Sequence, residues 1–367
     1  MIDMWDDEKI HAFQKTLLKW YDEAGRSTLP WRADHSPYRV WVSEIMLQQT
    51  QVSTVIPYFN RFMQAFPTVD DLAKAPEADL LKAWEGLGYY SRVRNMQKAA
   101  QQIVNDFDGA WPNTMQTLEA LKGVGPYTAA AIASIAFNEP VAAIDGNAFR
   151  VFARLFEIDA DIAQPATRKL FFELGNQIID QERPGDFNQA IMDLGSSYMS
   201  AKNSDPAHSP VREFDASYQN GTTDLYPVKS KAKKAKPVHY AAMVIKNDDT
   251  YLWEKRPETG LLANFWTVPL FNIDDFVNDR DVNWSETEIQ NALEKQLFEQ
   301  YGVKVDLTKR DLAPITHIYT HQKWFVSVFE GTVVQNQVPK QGEWKTMTDL
   351  NRDPQPKIQE KIWKKLS

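Results

Sequence analysis

Through roughly the first 215 residues, apolar positions recur with the period of an amphipathic helix. Ile10, Phe13, Leu17, Trp20 and Tyr21 form one stripe of a helix over residues 6–24, which Gly25 ends. Leu29-Pro30-Trp31-Arg32 reads as an extended entry, because proline disfavours helix at the residue before it. From Pro37 the pattern is helical again, with Trp41, Ile45, Val52, Val55, Ile56, Phe59 and Phe62 on one core-facing stripe. Further helices are predicted near 69–75, 77–86, 91–107, 114–121, 147–157, 165–181 and 187–201. Thr128 to Ala136 is nearly all small or apolar and reads as a buried helix. No convincing strand precedes residue 215, so residues 1–215 are expected to form an all-α domain.

The pattern then changes. Residues 216–237 hold Ser, Gln, Asn, Gly, Thr and Pro with Lys229, Lys231, Lys233, Lys234 and Lys236, and read as a linker. His239 to Ile245 is strand-like, and Tyr251 to Glu254 a second strand. Strands near 265–270, 304–307, 315–321, 323–333 and 343–346 surround a helix at 285–301, with a last helix at 355–366. Residues 238–367 are therefore expected to be an α+β domain.

Composition narrows the class. A hydrophobic content of 43% with 12 Trp describes a soluble globular protein, and no apolar run approaches a membrane span. The absence of cysteine excludes disulfides, thiolate metal sites and a cysteine nucleophile. The stretch Met1 to Glu8 is acidic and lacks a signal-peptide pattern, so a cytoplasmic location is expected. A net charge of −8 argues mildly against a nucleic-acid partner. Arg92, Arg94 and Lys98, and the lysines of the linker, are candidate local basic patches or simply solvated surface.

Three features carry chemistry. Leu121-Lys122-Gly123-Val124-Gly125-Pro126-Tyr127-Thr128 is a tight glycine turn feeding a helix. Its unpaired N–H groups suit a phosphate oxygen, although the same turn could merely join two packed helices. Glu44 lies beside Ile45, Met46 and Leu47. A carboxyl partly removed from water keeps its proton to higher pH, as a general acid requires, whereas an exposed helical Glu would not. Asp145 opens a helix. It is an N-cap by position, and helix N–H groups and dipole would hold its carboxylate ionised.

Lys122-Gly123-Val124-Gly125-Pro126-Tyr127-Thr128, followed by Ile144-Asp145-Gly146-Asn147, resembles the helix-hairpin-helix DNA glycosylase superfamily. With Ser43-Glu44-Ile45-Met46-Leu47-Gln48-Gln49-Thr50-Gln51 the chain resembles the adenine DNA glycosylases, the MutY family, over nearly its whole length. The resemblance implies that Glu44 protonates adenine as leaving group and that Asp145 stabilises or transiently traps C1′, oriented by Asn147. Strand-cleaving relatives carry a Schiff-base lysine where Tyr127 stands, so a monofunctional enzyme is implied, with Tyr127 hydrogen-bonding near Asp145. Trp31, Arg32 and Gln189 match adenine-pocket positions, and Gln49 and Thr50 match contacts to the opposite base. Gly86-Leu87-Gly88-Tyr89, Gly123 and Gly125 match DNA-contacting positions, with Tyr89 the intercalating residue that base flipping calls for.

Arg256 to Trp266 resembles the MutT-like, Nudix-related domain of the same family. In Lys295-Gln296-Leu297-Phe298-Glu299-Gln300-Tyr301-Gly302 glutamines replace carboxylates that Mg²⁺ would need, so this domain should bind and not hydrolyse. Tyr319-Thr320-His321 matches the loop that reads 8-oxoguanine. Most relatives hold an iron–sulfur cluster after a segment present here as Met192-Asp193-Leu194-Gly195. Aligned from there, the ligand positions in a degenerate loop at 199–215 are Met199, Pro206, Ser209 and Asp215, so no cofactor is expected. The implied protein is a monomeric bacterial enzyme, nucleoid-associated when acting, on duplex DNA with adenine opposite 8-oxoguanine or guanine. The rivals are a bifunctional glycosylase/lyase, a non-catalytic DNA-binding module and a nucleotide pyrophosphohydrolase.

Overall fold

The structure, a computed structural model, describes residues 4–231, 234–275, 285–333 and 337–366. Met1, Ile2, Asp3 and Lys233, used above, lie outside the described residues. The chain forms two units, residues 1–75 with 89–231 and residues 76–88 with 232–367.

The first unit is helical, and no strand occurs among its described residues. It comprises α1 (Asp7–Ala24), α2 (Pro37–Leu47), α3 (Val52–Ala65) and α4 (Val69–Lys74). The short α5 (Glu77–Ala83) belongs to the second unit. Then follow α6 (Ser91–Asp106), α7 (Met115–Leu118), α8 (Pro126–Phe137), α9 (Gly146–Leu155), α10 (Pro165–Ile178), α11 (Pro184–Ser196) and α12 (Ala216–Gln219). Phe13 and Leu17 of α1 share a core with Val151 and Phe152 of α9, Phe171 of α10 and Phe187 and Leu194 of α11. The small residues of α8 are buried from Thr128 to Ile135, and α2, α7 and α11 pack around it. Gly123 is left-handed (φ 77°), and a Cβ there would come within 2.6 Å of the Asn95 Cβ, so the hairpin turn accepts only glycine.

Two expectations are revised in this unit. The helical stretch from Pro37 is two helices, because Gln49 turns the chain with φ 59° between Leu47 and Val52. The stretch expected to be a linker is packed through residue 230. Tyr226 O accepts from Arg154 Nε at 3.2 Å, Val228 O from Ile162 N at 3.0 Å, and Asp161 Oδ1 from Ser230 N at 3.0 Å. Backbone groups thus find partners that polar composition does not reveal.

The second unit is α+β. Its strands are β1 (Lys236–Asn247), β2 (Thr250–Lys255), β3 (Trp266–Thr267), β4 (Leu270–Asn272), β5 (Thr308–Lys309), β6 (Ile315–Ile318), β7 (Gln322–Thr332) and β8 (Glu343–Lys345). The sheet runs β3-β2-β1-β7-β5, with β4 on β1, β6 on β7 and β8 on β2. β1 and β7 are parallel, Met243 opposite Phe329, and the other pairs are antiparallel. Helices α13 (Glu286–Tyr301), α14 (Met347–Leu350) and α15 (Lys357–Leu366) complete it. Leu293, Leu297 and Tyr301 of α13 pack on Met243, Leu252 and Phe329 of the sheet. Among the described residues no helix is long and apolar enough to cross a membrane.

Candidate active site

One cavity of about 1050 Å³ in the helical unit collects residues from seven helices and the turns between them. Pro37 at the first helical position starts α2, which runs buried from Val40 to Met46 and brings Glu44 to the cavity wall at 6% exposure. Burial pushes the Glu44 carboxyl up to about 7 from its ordinary 4.5. The charge of Asp145 pushes the same way, while a hydrogen bond from Tyr127 and the charge of Arg32 oppose it.

Tyr127 stands in the first turn of α8, directly after the glycine hairpin. Its hydroxyl, expected near Asp145, donates to Glu44 Oε2 and lies 3.9 Å from Met192 Sδ. Burial and the charges of Glu44 and Asp145 raise this phenol well above its usual value, so it is a neutral donor. Tyr127 therefore fixes the acid, and it senses Asp145 through charge alone.

Asp145 caps α9. Its Oδ1 accepts from the backbone N–H of Asn147 at 2.9 Å and of Ala148 at 2.7 Å, and Oδ2 from Asn147 Nδ2 at 2.8 Å. Burial raises this carboxyl, and the three hydrogen bonds together with Arg150 oppose the rise. Helix N–H groups thus moderate desolvation without reversing it. The negative charge of Asp145 is one of the causes that raise the Glu44 carboxyl, and both groups line one cavity. Asn147 is held in turn by Arg150 Nη2 at 2.7 Å, and Arg150 is anchored on the carbonyls of Gly195 and Met199. A Cβ at Gly195 would sit 2.6 Å from Asn147 Cβ, so glycine there leaves Asn147 its place.

Trp31 and Gln189 are buried and line the cavity, as do Gln49, Thr50, Gly123 and Gly125. Arg32 lines it too, but its guanidinium is committed. Arg32 Nη1 and Nη2 bond both oxygens of buried Asp193 at 2.7 and 3.0 Å, and Arg26 reaches the same carboxylate through Nε at 2.7 Å and its backbone N–H at 3.0 Å. Arg26, Arg150, Met192 and the role of Asp193 escape a reading of the sequence. Only the Met192-Asp193-Leu194-Gly195 string hints at the last, and its partners lie more than 160 positions away.

The remaining expected residues lie elsewhere. Leu87 is buried in the second unit, whereas Tyr89 in the first is 46% exposed, so of the two only Tyr89 presents its side chain to solvent. Tyr319, Thr320 and His321 form the β6–β7 turn of the second unit, closed by Tyr319 N donating to Gln322 O at 2.7 Å. The Tyr319 ring meets Trp324 edge-on at 4.8 Å, and Thr320 and His321 are exposed.

The iron–sulfur positions do not fit a cluster. Met199 is fully buried in the apolar core, and Ser209 is buried. Asp215 caps α12 and accepts from Ser217 Oγ at 2.7 Å. Phe214, between them in sequence, packs on Trp5 and Phe13 with ring centroids 5.7 and 5.4 Å away. None of the four offers a thiolate, and among the described residues no three His, Cys, Asp or Glu side chains gather as a metal site would require.

Residues 42–177 match the family described as HhH-GPD superfamily base excision DNA repair protein, and residues 240–365 match the NUDIX domain. Over 366 residues the chain is 36% identical to the adenine DNA glycosylase of Arabidopsis thaliana, covering 87% of this chain and 57% of that protein. It is 32% identical to the adenine DNA glycosylase of Mus musculus, covering 94% of this chain and 76% of the other. A thermostable thymine-DNA glycosylase shares the helical fold, with TM-score 0.53, 24% identity and coverage of 58% of this chain and 98% of that one.

Proposed function

The chain belongs to the adenine DNA glycosylases, enzymes of base excision repair, and from that premise we propose that it excises adenine paired with 8-oxoguanine or guanine in duplex DNA. The observation that carries the mechanism is one cavity lined both by buried Glu44, whose carboxyl burial pushes up to about 7, and by Asp145 at the α9 cap. Adenine leaves the base stack and enters that cavity. Glu44 transfers its proton to a ring nitrogen, the glycosidic bond breaks with its electron pair going to the base, and positive charge develops at C1′. Ionised Asp145 stabilises that charge. Water then adds to C1′ and loses a proton, leaving an abasic site.

Tyr127 keeps the Glu44 carboxyl aimed, and a phenol forms no Schiff base, so the reaction stops at base removal. The Tyr319-Thr320-His321 turn reads the oxidised base, and the glutamines at 296 and 300 leave the second unit a binding module without hydrolase activity. Single-turnover incubation with duplexes carrying A opposite 8-oxoguanine, G and T tests this reading. Free adenine and an alkali-labile site are expected from the first two, fastest from 8-oxoguanine, with no borohydride-trapped adduct. Inertness toward all three duplexes overturns it.

A further inference from the structure

Two exposed residues of the helical unit, Gln49 (φ 59°) and Tyr89 (φ 50°), hold left-handed backbone without being Gly, Asn or Asp. Such a conformation is costly for an ordinary L-residue and persists only where surrounding structure over-determines it. Arg92, in the first turn of α6, holds the Gln48 carbonyl that directly precedes Gln49, and Tyr89 itself. Arg92 Nη1 donates to the carbonyls of Ile45 at 2.6 Å, Met46 at 3.2 Å and Gln48 at 2.7 Å. Those carbonyls end α2, where helical partners are missing and the helix dipole favours a cation. The same guanidinium lies 5.6 Å from the centroid of the Tyr89 ring, within cation–π range, and the Arg92 backbone N–H donates to Tyr89 O at 2.9 Å. One turn on, Asn95 abuts Gly123 of the hairpin, and a pocket of about 110 Å³ lies between Gln48, Arg92, Asn95 and Gly123.

We propose that Arg92 is a positioning residue that fixes the turn at Gln48–Gln49 and the Tyr89 ring together, so that the opposite-base contact and the intercalating ring are set by one side chain. This rests on the adenine-excision reading above. Its charge is turned inward onto carbonyls and a ring, so the Arg92, Arg94, Lys98 cluster is not a simple basic patch, and Arg92 acts on base flipping rather than on phosphate affinity.

The test places 2-aminopurine at the target position opposite 8-oxoguanine and compares wild type, Arg92→Met and Arg92→Lys, with melting temperatures recorded for each. The fluorescence rise that reports unstacking should fall at least fivefold in Arg92→Met, and single-turnover adenine excision at least tenfold. Affinity for undamaged duplex and its salt slope should stay within twofold. Arg92→Lys, which keeps donors for the α2 carbonyls, should recover part of the flipping signal. A wild-type flipping signal in Arg92→Met overturns the proposal, as does a uniform affinity loss with the salt slope reduced by about one, the mark of a phosphate contact. If Arg92→Met does not fold, Arg92→Leu takes its place, and a folded Arg92→Leu protein that flips as wild type overturns the proposal equally. The wild-type excision control scores the function separately, since the variant-to-wild-type flipping ratio is read whether or not adenine is released.

Discussion

As the cap of α9, Asp145 accepts from two backbone N–H groups, a task asparagine performs about equally well. Asp145→Asn should therefore melt within a few degrees of wild type yet excise adenine at least 100-fold more slowly, about 2.7 kcal/mol of lost transition-state stabilisation. Single-turnover assays beside thermal melts check this, and a variant that keeps wild-type excision would leave Asp145 a cap only. Tyr127→Phe removes a hydrogen bond that lowers the Glu44 carboxyl, so its pH–rate midpoint should move upward from about 7. An unmoved midpoint would detach Tyr127 from the acid. The same ionisation bears on stability. Because the folded carboxyl is raised from 4.5 to about 7, its contribution is fully present below pH 4.5 and is lost as pH rises through about 7. Glu44→Gln should thus be stabilised relative to wild type at pH 8 more than at pH 5, by roughly 1–3 kcal/mol. The identities of Glu44, Tyr127 and Asp145 were legible in their motifs. Their electrostatics were not, because a helix of small residues distant in the chain buries Glu44, and the turn of α8 aims Tyr127 at it.

At the scale of elements, α11 approaches α9 closely because Gly195 has no side chain to meet Asn147. In Gly195→Ala two effects compete. Alanine gains about 1 kcal/mol over glycine within a helix, while forcing a methyl against Asn147 costs typically 1–3 kcal/mol. Net stability should fall by less than about 2 kcal/mol, but displaced Asn147 no longer orients Asp145, so excision should fall about tenfold or more. Unchanged excision would show that Asn147 is not needed in place. Helix existence was legible from apolar periodicity through α11, whereas α12 falls in the stretch read as a linker. The break at Gln49 was not, because a glutamine carries no turn signature and its left-handed φ is imposed by tertiary contacts of Gln48 with Arg92. The packed course of residues 216–230 was equally hidden, being secured by the remote side chains of Arg154 and Asp161 on its main chain and by Tyr226 against the core.

The whole molecule carries a net charge of −8, and its large cavity is mixed in charge, with Arg168 and Lys169 beside Asp34, Glu44, Glu119 and Asp145, and with Arg26 and Arg32 paired to Asp193. With no cysteine in the chain, none of the four aligned positions supplies a thiolate. What stands in the loop instead, buried Met199, Asp215 as a helix cap and Phe214 against Trp5 and Phe13, emerges only from the packing of residues remote in sequence. That packing leaves Glu44 and Asp145 in one cavity, and the pH dependence of single-turnover excision from an A:8-oxoguanine duplex reads their relation most directly. The rate constant is expected to level off below about pH 7 and to fall about tenfold per unit above it, with Glu44→Gln slower by at least 1000-fold at every pH. A rate that stays flat or climbs from pH 7 to 9, or a Glu44→Gln enzyme retaining a tenth of wild-type excision, would contradict the account.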